Sequence, residues 1–136
     1  MVNIPESSSF PGDPMFHLLA ITLSGLVLVE HVFFLVLEMF LWNTPSGHKA
    51  FGLTPDFAQA SAALAKNQGL YNGFLAAGLL WSFLHHDPGF AYQLRLFFLG
   101  CVVVAGIFGA WTVKPKIFFL QALPAGLAFA AVIMDR

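Results

Sequence analysis

Four apolar stretches, separated by short polar breaks, dominate the chain. They cover residues 15–42, 66–85, 93–113 and 116–134. None alternates apolar and polar residues as a half-buried strand does, and each comes near the roughly 20 apolar residues that a membrane-crossing helix needs. The pattern predicts an all-α fold: a polytopic membrane protein, a bundle of four transmembrane helices forming a single domain over residues 15–136. Residues 1–14 read as a polar N-terminal tail. The tail has no Lys or Arg, which a cleavable signal carries ahead of its apolar stretch, so it is expected to be retained.

The breaks carry their own signals. Thr54-Pro55-Asp56 reads as an N-cap followed by a first-turn proline, so the second helix begins ahead of its apolar part, with residues 56–66 as an amphipathic lead-in. Lys114-Pro115-Lys116 is a tight turn that makes the third and fourth helices an antiparallel hairpin. Residues 43–55 read as the longest irregular piece, and His85-His86-Asp87-Pro88-Gly89 as a wet loop end. Small residues at four-residue spacing predict close helix packing: Gly69 with Gly73, Gly106 with Ala110, Ala105 with Gly109, and Ala122 with Gly126. Pro124 is expected to open the fourth helix and free the Leu120 carbonyl one turn earlier.

Composition supports the membrane reading and narrows the function. The 136 residues are 58% hydrophobic and only 10% charged, with sixteen Phe, whereas soluble domains carry about 25% charge. A net charge of −1 with no basic patch excludes a nucleic-acid partner and leaves the lipid bilayer as the first one. Cys101 is the single cysteine, so no internal disulfide forms. Lys49, Lys66, Lys114 and Lys116 fall on one side of the predicted topology and Arg95 and Arg136 on the other, which places the termini outside the cytoplasm.

The candidate chemistry lies in polar residues at membrane depth, which are costly there and mark function. Glu30, His31 and Glu38 share the first helix; His31 and Glu38, seven positions apart, lie on nearly one face, about 10 Å apart along the axis. The second helix adds Asn67, Gln68, Tyr71 and Asn72, the third Thr112 and the fourth Gln121. Counted from the helix ends, these residues would form one polar cluster open toward the cytoplasm, with Glu30 and His31 deeper. Two cofactor readings fail on spacing. The positions one turn after His31 are Phe34 and Leu35, so no helical ligand pair for a metal is formed. His17 and His31 share a face, but no second histidine opposes His31 for haem. No metal and no cofactor is therefore assigned. The plainest alternative to a binding pocket is that Glu38 accepts hydrogen bonds from Asn67, Asn72 or Gln121 and ties the helices together. Nucleophile elbows, phosphate loops, Cys-x-x-Cys and His-Glu-x-x-His are all missing.

The blocks from Glu30-His31 through Glu38-Met39-Phe40-Leu41-Trp42, Asn67-Gln68-Gly69-Leu70-Tyr71-Asn72-Gly73, Ala105-Gly106-Ile107-Phe108-Gly109-Ala110 and Gln121-Ala122-Leu123-Pro124-Ala125 resemble a domain-of-unknown-function family of small bacterial four-helix integral membrane proteins. The resemblance implies a four-span protein of the bacterial inner (plasma) membrane and brings no activity with it. Its blocks coincide with His31, Glu38, Asn67, Gln68, Asn72 and Gln121. The expected function is a buried polar pocket that binds or moves a small molecule, ion or proton. Two alternatives stand beside it: an accessory subunit of a larger membrane complex or a homo-oligomer, with Phe-rich faces against partner helices, and a membrane enzyme acting on a lipid-soluble substrate.

Overall fold

The structure is a computed structural model that describes residues 13–136. Of the tail assigned to residues 1–14, all but the last two lie outside the described residues, and those two, Asp13 and Pro14, start the first helix. The described chain is all-helical: α1 (Pro14–Val36), α2 (Pro45–Phe51), α3 (Pro55–Leu84), α4 (Pro88–Thr112) and α5 (Leu123–Met134). A π-helical turn, Leu37–Leu41, continues α1, and a second, Phe118–Ala122, leads into α5.

One device starts four of the five α-helices. Asp13-Pro14, Thr44-Pro45, Thr54-Pro55 and Asp87-Pro88 each put an oxygen-bearing side chain at the N-cap and a proline in the first turn. Proline costs nothing there, because its missing N–H would have no helical partner, and the cap oxygen satisfies one of the free donors. Asp13 accepts from the Met15 N–H at 2.9 Å, Thr44 from Gly47 at 3.3 Å, Thr54 from Phe57 at 3.4 Å and Asp87 from Phe90 at 2.6 Å. The device corrects two expectations. Residues 43–55 are not irregular, since Thr44-Pro45 starts α2. The His85–Gly89 break is shorter than expected, since Asp87-Pro88 starts α4 five residues before position 93. α2 closes on Gly52, whose φ of 65° is the left-handed conformation that favours glycine.

α1 packs against α3 and α5, and α4 packs against the same two helices from the other side. The core between them is Ala20, Val27, Leu79, Leu99, Val102, Ala125, Ala128, Ala131 and Val132. Small residues set the spacing. A β-carbon on Gly69 would stand 2.7 Å from the Met39 side chain and 3.0 Å from Glu38 Cβ; one on Gly106 would stand 2.5 Å from the Ala122 nitrogen. α5 turns Ala125, Ala128 and Ala131 inward, a three-residue rhythm continuing from Ala122. Gly126 and Ala105, expected in packing stripes, lie elsewhere: a β-carbon on Gly126 would meet nothing, and Ala105 is exposed.

The outer surface is apolar. Val29 is 65% exposed, Phe97 65%, Val104 68% and Trp111 85%. Two rods, Pro14–Leu41 and Pro88–Thr112, are long and apolar enough to cross a membrane; Phe118–Met134 is apolar but shorter. The other two expected spans do not meet that standard. Asn67, Gln68 and Asn72 dilute the apolar part of α3, and the last rod lacks length.

Gly106→Ala should separate α4 from the second π turn and lower stability by about 1–3 kcal/mol. Gly126→Ala meets open space and should be neutral or stabilising by up to about 1 kcal/mol. Thermal unfolding followed by circular dichroism ranks the two; equal losses would contradict the packing described.

Candidate functional site: an interior polar file

The inner stripe of α1 consists of Ala20, Ser24, Val27 and His31, all fully buried. His17, Ser24, His31 and Glu38 follow one another at seven-residue intervals. Seven residues make nearly two helical turns, so successive members step about 10 Å along the axis and drift only about 20° around it. The rod therefore carries a file of polar groups: His17 exposed in its first turn, Ser24 and His31 buried, and Glu38 half-buried in the π turn at its end.

Each member meets a different neighbour. His31 Nδ1 lies 2.8 Å from the Val27 carbonyl, which can only accept, so Nδ1 carries a proton. In the neutral ring Nε2 then offers a lone pair, and the Gln121 amide, 3.3 Å away, donates to it. Asn72 donates from Nδ2 to Glu38 Oε2 at 2.7 Å. Of the three amides expected near Glu38, Asn72 is the one that bonds to it, while Gln121 serves His31. The Ser24 hydroxyl, fully buried, has no hydrogen-bond partner among the described residues. A buried hydroxyl without a partner costs about 1–3 kcal/mol and calls for an explanation.

Both π-helical turns fall at this site. Glu38 lies in the first and Gln121 in the second. A π turn fits one extra residue into the helix and re-aims the side chains it contains, and such turns are frequent at functional sites. The second turn is accounted for by Pro124, which has no N–H for the Leu120 carbonyl and sits just beyond it. The disturbance predicted from Pro124 thus takes the form of a π turn.

The cluster is smaller than the sequence implies. Asn67, Gln68 and Tyr71 are exposed and do not join Glu38, His31, Asn72 and Gln121. On α3, Asn67 and Tyr71 point about 140° and 100° away from Asn72, and Gln68 falls on the outer edge of the inward stripe. Thr112 also faces out, donating to the Phe108 carbonyl at 2.8 Å. Glu30 stands on another face of α1, in a groove lined by Leu26, Phe119, Leu120 and Pro124. Among the described residues no three His, Cys, Asp or Glu gather as a metal-binding group.

Sequence reasoning missed a second polar knot at the opposite end. His17 Nδ1 and Asp135 Oδ2 are 3.1 Å apart. Arg95 Nε donates to Ser82 Oγ at 3.4 Å, its guanidinium lies over the Phe83 ring at 4.5 Å, and Asp135 is within electrostatic reach. His17 of α1 thus meets Asp135 at the end of α5, and Arg95 of α4 joins Ser82 and Phe83 of α3 nearby. The seven-residue rhythm was the available signal, because it continues from His31 and Glu38 back through Ser24 to His17.

Fold and site define an all-helical protein with an apolar exterior and a line of polar side chains inside. The chain belongs to the family described as "Protein of unknown function (DUF1304)", whose profile matches residues 25–133. It is similar to "Uncharacterized protein YpaA" of Lactococcus lactis subsp. lactis (strain IL1403), at 30% identity over 118 residues, covering 85% of this chain and 95% of that one. No solved structure matches it. The matched residues include all four polar side chains of the interior cluster.

Nitrogen NMR of the histidine-labelled protein should find His31 protonated on Nδ1 and bare on Nε2. Gln121→Leu should shift the Nε2 resonance and leave the tautomer unchanged. A ring protonated on Nε2 would break both hydrogen bonds assigned here.

Proposed function

We propose that the chain is a multi-pass protein of the bacterial inner membrane, a four-helix transmembrane bundle with both termini outside the cytoplasm. In this reading its interior polar file binds and moves a small polar species, and the proton fits best. The observation that carries the reading is the file itself: His17 exposed at one mouth, Ser24 and His31 buried, and Glu38 half-buried at the other end, all on one stripe, with Ser24 unpartnered. Its length, about 30 Å along the axis, equals the thickness of a hydrocarbon core. Intramembrane Glu and His facing a bundle interior are the usual parts of proton relays.

Three features support the membrane assignment. Two rods meet the length and apolarity of a span. The outer faces of the other two are apolar as well, through Phe74, Leu80 and Leu84 of α3 and Leu127 and Ile133 of α5. Exposed apolar surface on every side fits lipid and not water. The polar residues that dilute α3 either turn inward to a partner, as Asn72 does, or lie near its Lys66 end. Lys49, Lys114 and Lys116 gather at the end where α2 and the α4–α5 turn lie, which supports termini outside the cytoplasm.

The size of the moving species follows from packing. Ala20, Val27, Leu79, Leu99 and Val102 are fully buried in one core cluster, and interior packing of that kind favours the smallest species. Gaps of about 10 Å between members suit short water chains that a proton crosses by exchange. A second reading, an accessory or self-associating subunit, is favoured by one observation: the outward face of α4 forms an apolar groove of about 680 Å³ that includes Gly100, Cys101 and Ala105. Small residues on such a face suit another helix.

The test is proton flux into liposomes carrying the purified protein, driven by a potassium diffusion potential and read with a trapped pH dye. Wild-type protein should conduct above protein-free vesicles. Glu38→Gln keeps an acceptor for Asn72 and should fold normally, yet reduce flux more than about tenfold. Ser24→Ala should reduce it less. Flux indifferent to both substitutions would overturn the reading.

A further inference from the structure

Glu30 is left unused by the interior file. It sits at mid-length of the first rod, about 24 Å from Pro14 and about 17 Å from Leu41 along the axis. It points between helices and not into the bundle, into an open groove of about 280 Å³ lined by Leu26, Phe119, Leu120 and Pro124. No side chain among the described residues hydrogen-bonds or ion-pairs with it. No other titratable group lines the groove. Pro124 withholds an N–H from the Leu120 carbonyl on the same wall.

We propose that this groove is a binding site for lipophilic organic cations, with Glu30 as the counter-charge. The inference rests on the membrane assignment and is independent of proton movement along the interior file. An unpaired carboxylate at mid-depth is compensated by a proton or by a cation brought from the lipid side. A hydrated metal ion does not fit, because hard cations want six or more oxygens and the groove offers Glu30 and at most the Leu120 carbonyl. A phospholipid headgroup stays at the interface, far from this depth. A cation of low charge density with an apolar body matches every wall: Leu26, Leu120 and Pro124 take the body, Phe119 offers an aromatic face, and Glu30 meets the charge. Proton and cation compete for one carboxylate. Binding to the protonated form releases that proton, so charge balances and binding weakens as pH falls.

Equilibrium binding of radiolabelled tetraphenylphosphonium to the purified full chain in dodecylmaltoside tests this. Wild-type protein should bind one cation per chain saturably, less tightly at lower pH. Glu30→Gln should weaken binding more than about tenfold, and Phe119→Leu about two- to fivefold. Glu38→Gln should bind as the wild type does. Circular dichroism confirms folding, and Phe119→Leu keeps the test decisive should Glu30→Gln fail to fold. Saturable binding unchanged by Glu30→Gln overturns the proposal, as does its absence in folded wild-type protein. Loss in Glu38→Gln with retention in Glu30→Gln would move the cation into the interior file and overturn this site alone. Proton flux lost in Glu38→Gln while cation binding is absent would leave the relay standing and remove the groove.

Discussion

At Gly69 and Gly106 neighbouring helices run so close that a single added carbon would strike the opposite chain. That closeness governs the rest of the structure. It brings Asn72 of α3 within 2.7 Å of Glu38 and lets Gln121 reach His31 from the rod opposite. It also lets these side chains satisfy one another directly. Polar groups shut in this way are held in fixed tautomers and fixed directions, because each has one partner within reach. Ser24, buried in the same stripe without a partner, is the place where that closure is incomplete.

The two π-helical turns act on the same region. A regular helix through positions 37–41 would present a different face to α3, and one through 118–122 a different face to α1. Glu38 and Gln121, one in each turn, supply half of the interior cluster. The far end is built by other means: His17, Arg95 and Asp135 join charged and aromatic neighbours near the helix termini, where side chains reach outward. The molecule therefore has a polar knot at one end, a polar cluster toward the other, and between them the unpartnered hydroxyl.

Much of this was legible in the sequence. Apolar length predicts the helical rods, and Thr54-Pro55 reads as a helix start; Asp13-Pro14, Thr44-Pro45 and Asp87-Pro88 carry the same signal but read from sequence as tail, loop and loop end. His31, Glu38, Asn72 and Gln121 stood out as polar residues in apolar runs. Their pairing did not, since Glu38 had three amides to choose from and geometry alone gives it Asn72. Asn67 and Tyr71 stay outside the cluster because proximity in sequence to Asn72 is not proximity on a helix face, while Gln68, nearly on the Asn72 face, is exposed one turn nearer the Lys66 end. Glu30 and His31 illustrate the same point: adjacent in sequence, they diverge by about 100° and serve different surfaces. The π turns had only Pro124 as a forewarning, and nothing comparable marks the turn at Leu37–Leu41.

The central claim is that one stripe of α1, with Ser24 and His31 in it, faces the closed interior while, in the proposed membrane setting, its outer faces meet lipid. Single spin labels placed along α1 of the protein in bilayers, with collision rates to oxygen and to a water-soluble nickel complex, test it most directly. The account predicts oxygen maxima at Leu18, Leu26, Val29, Phe33 and Val36 and minima to both reagents at Ala20, Ser24, Val27 and His31, repeating with the helical period. Uniform exposure to the nickel complex, or oxygen maxima at Ser24 and His31, would contradict it.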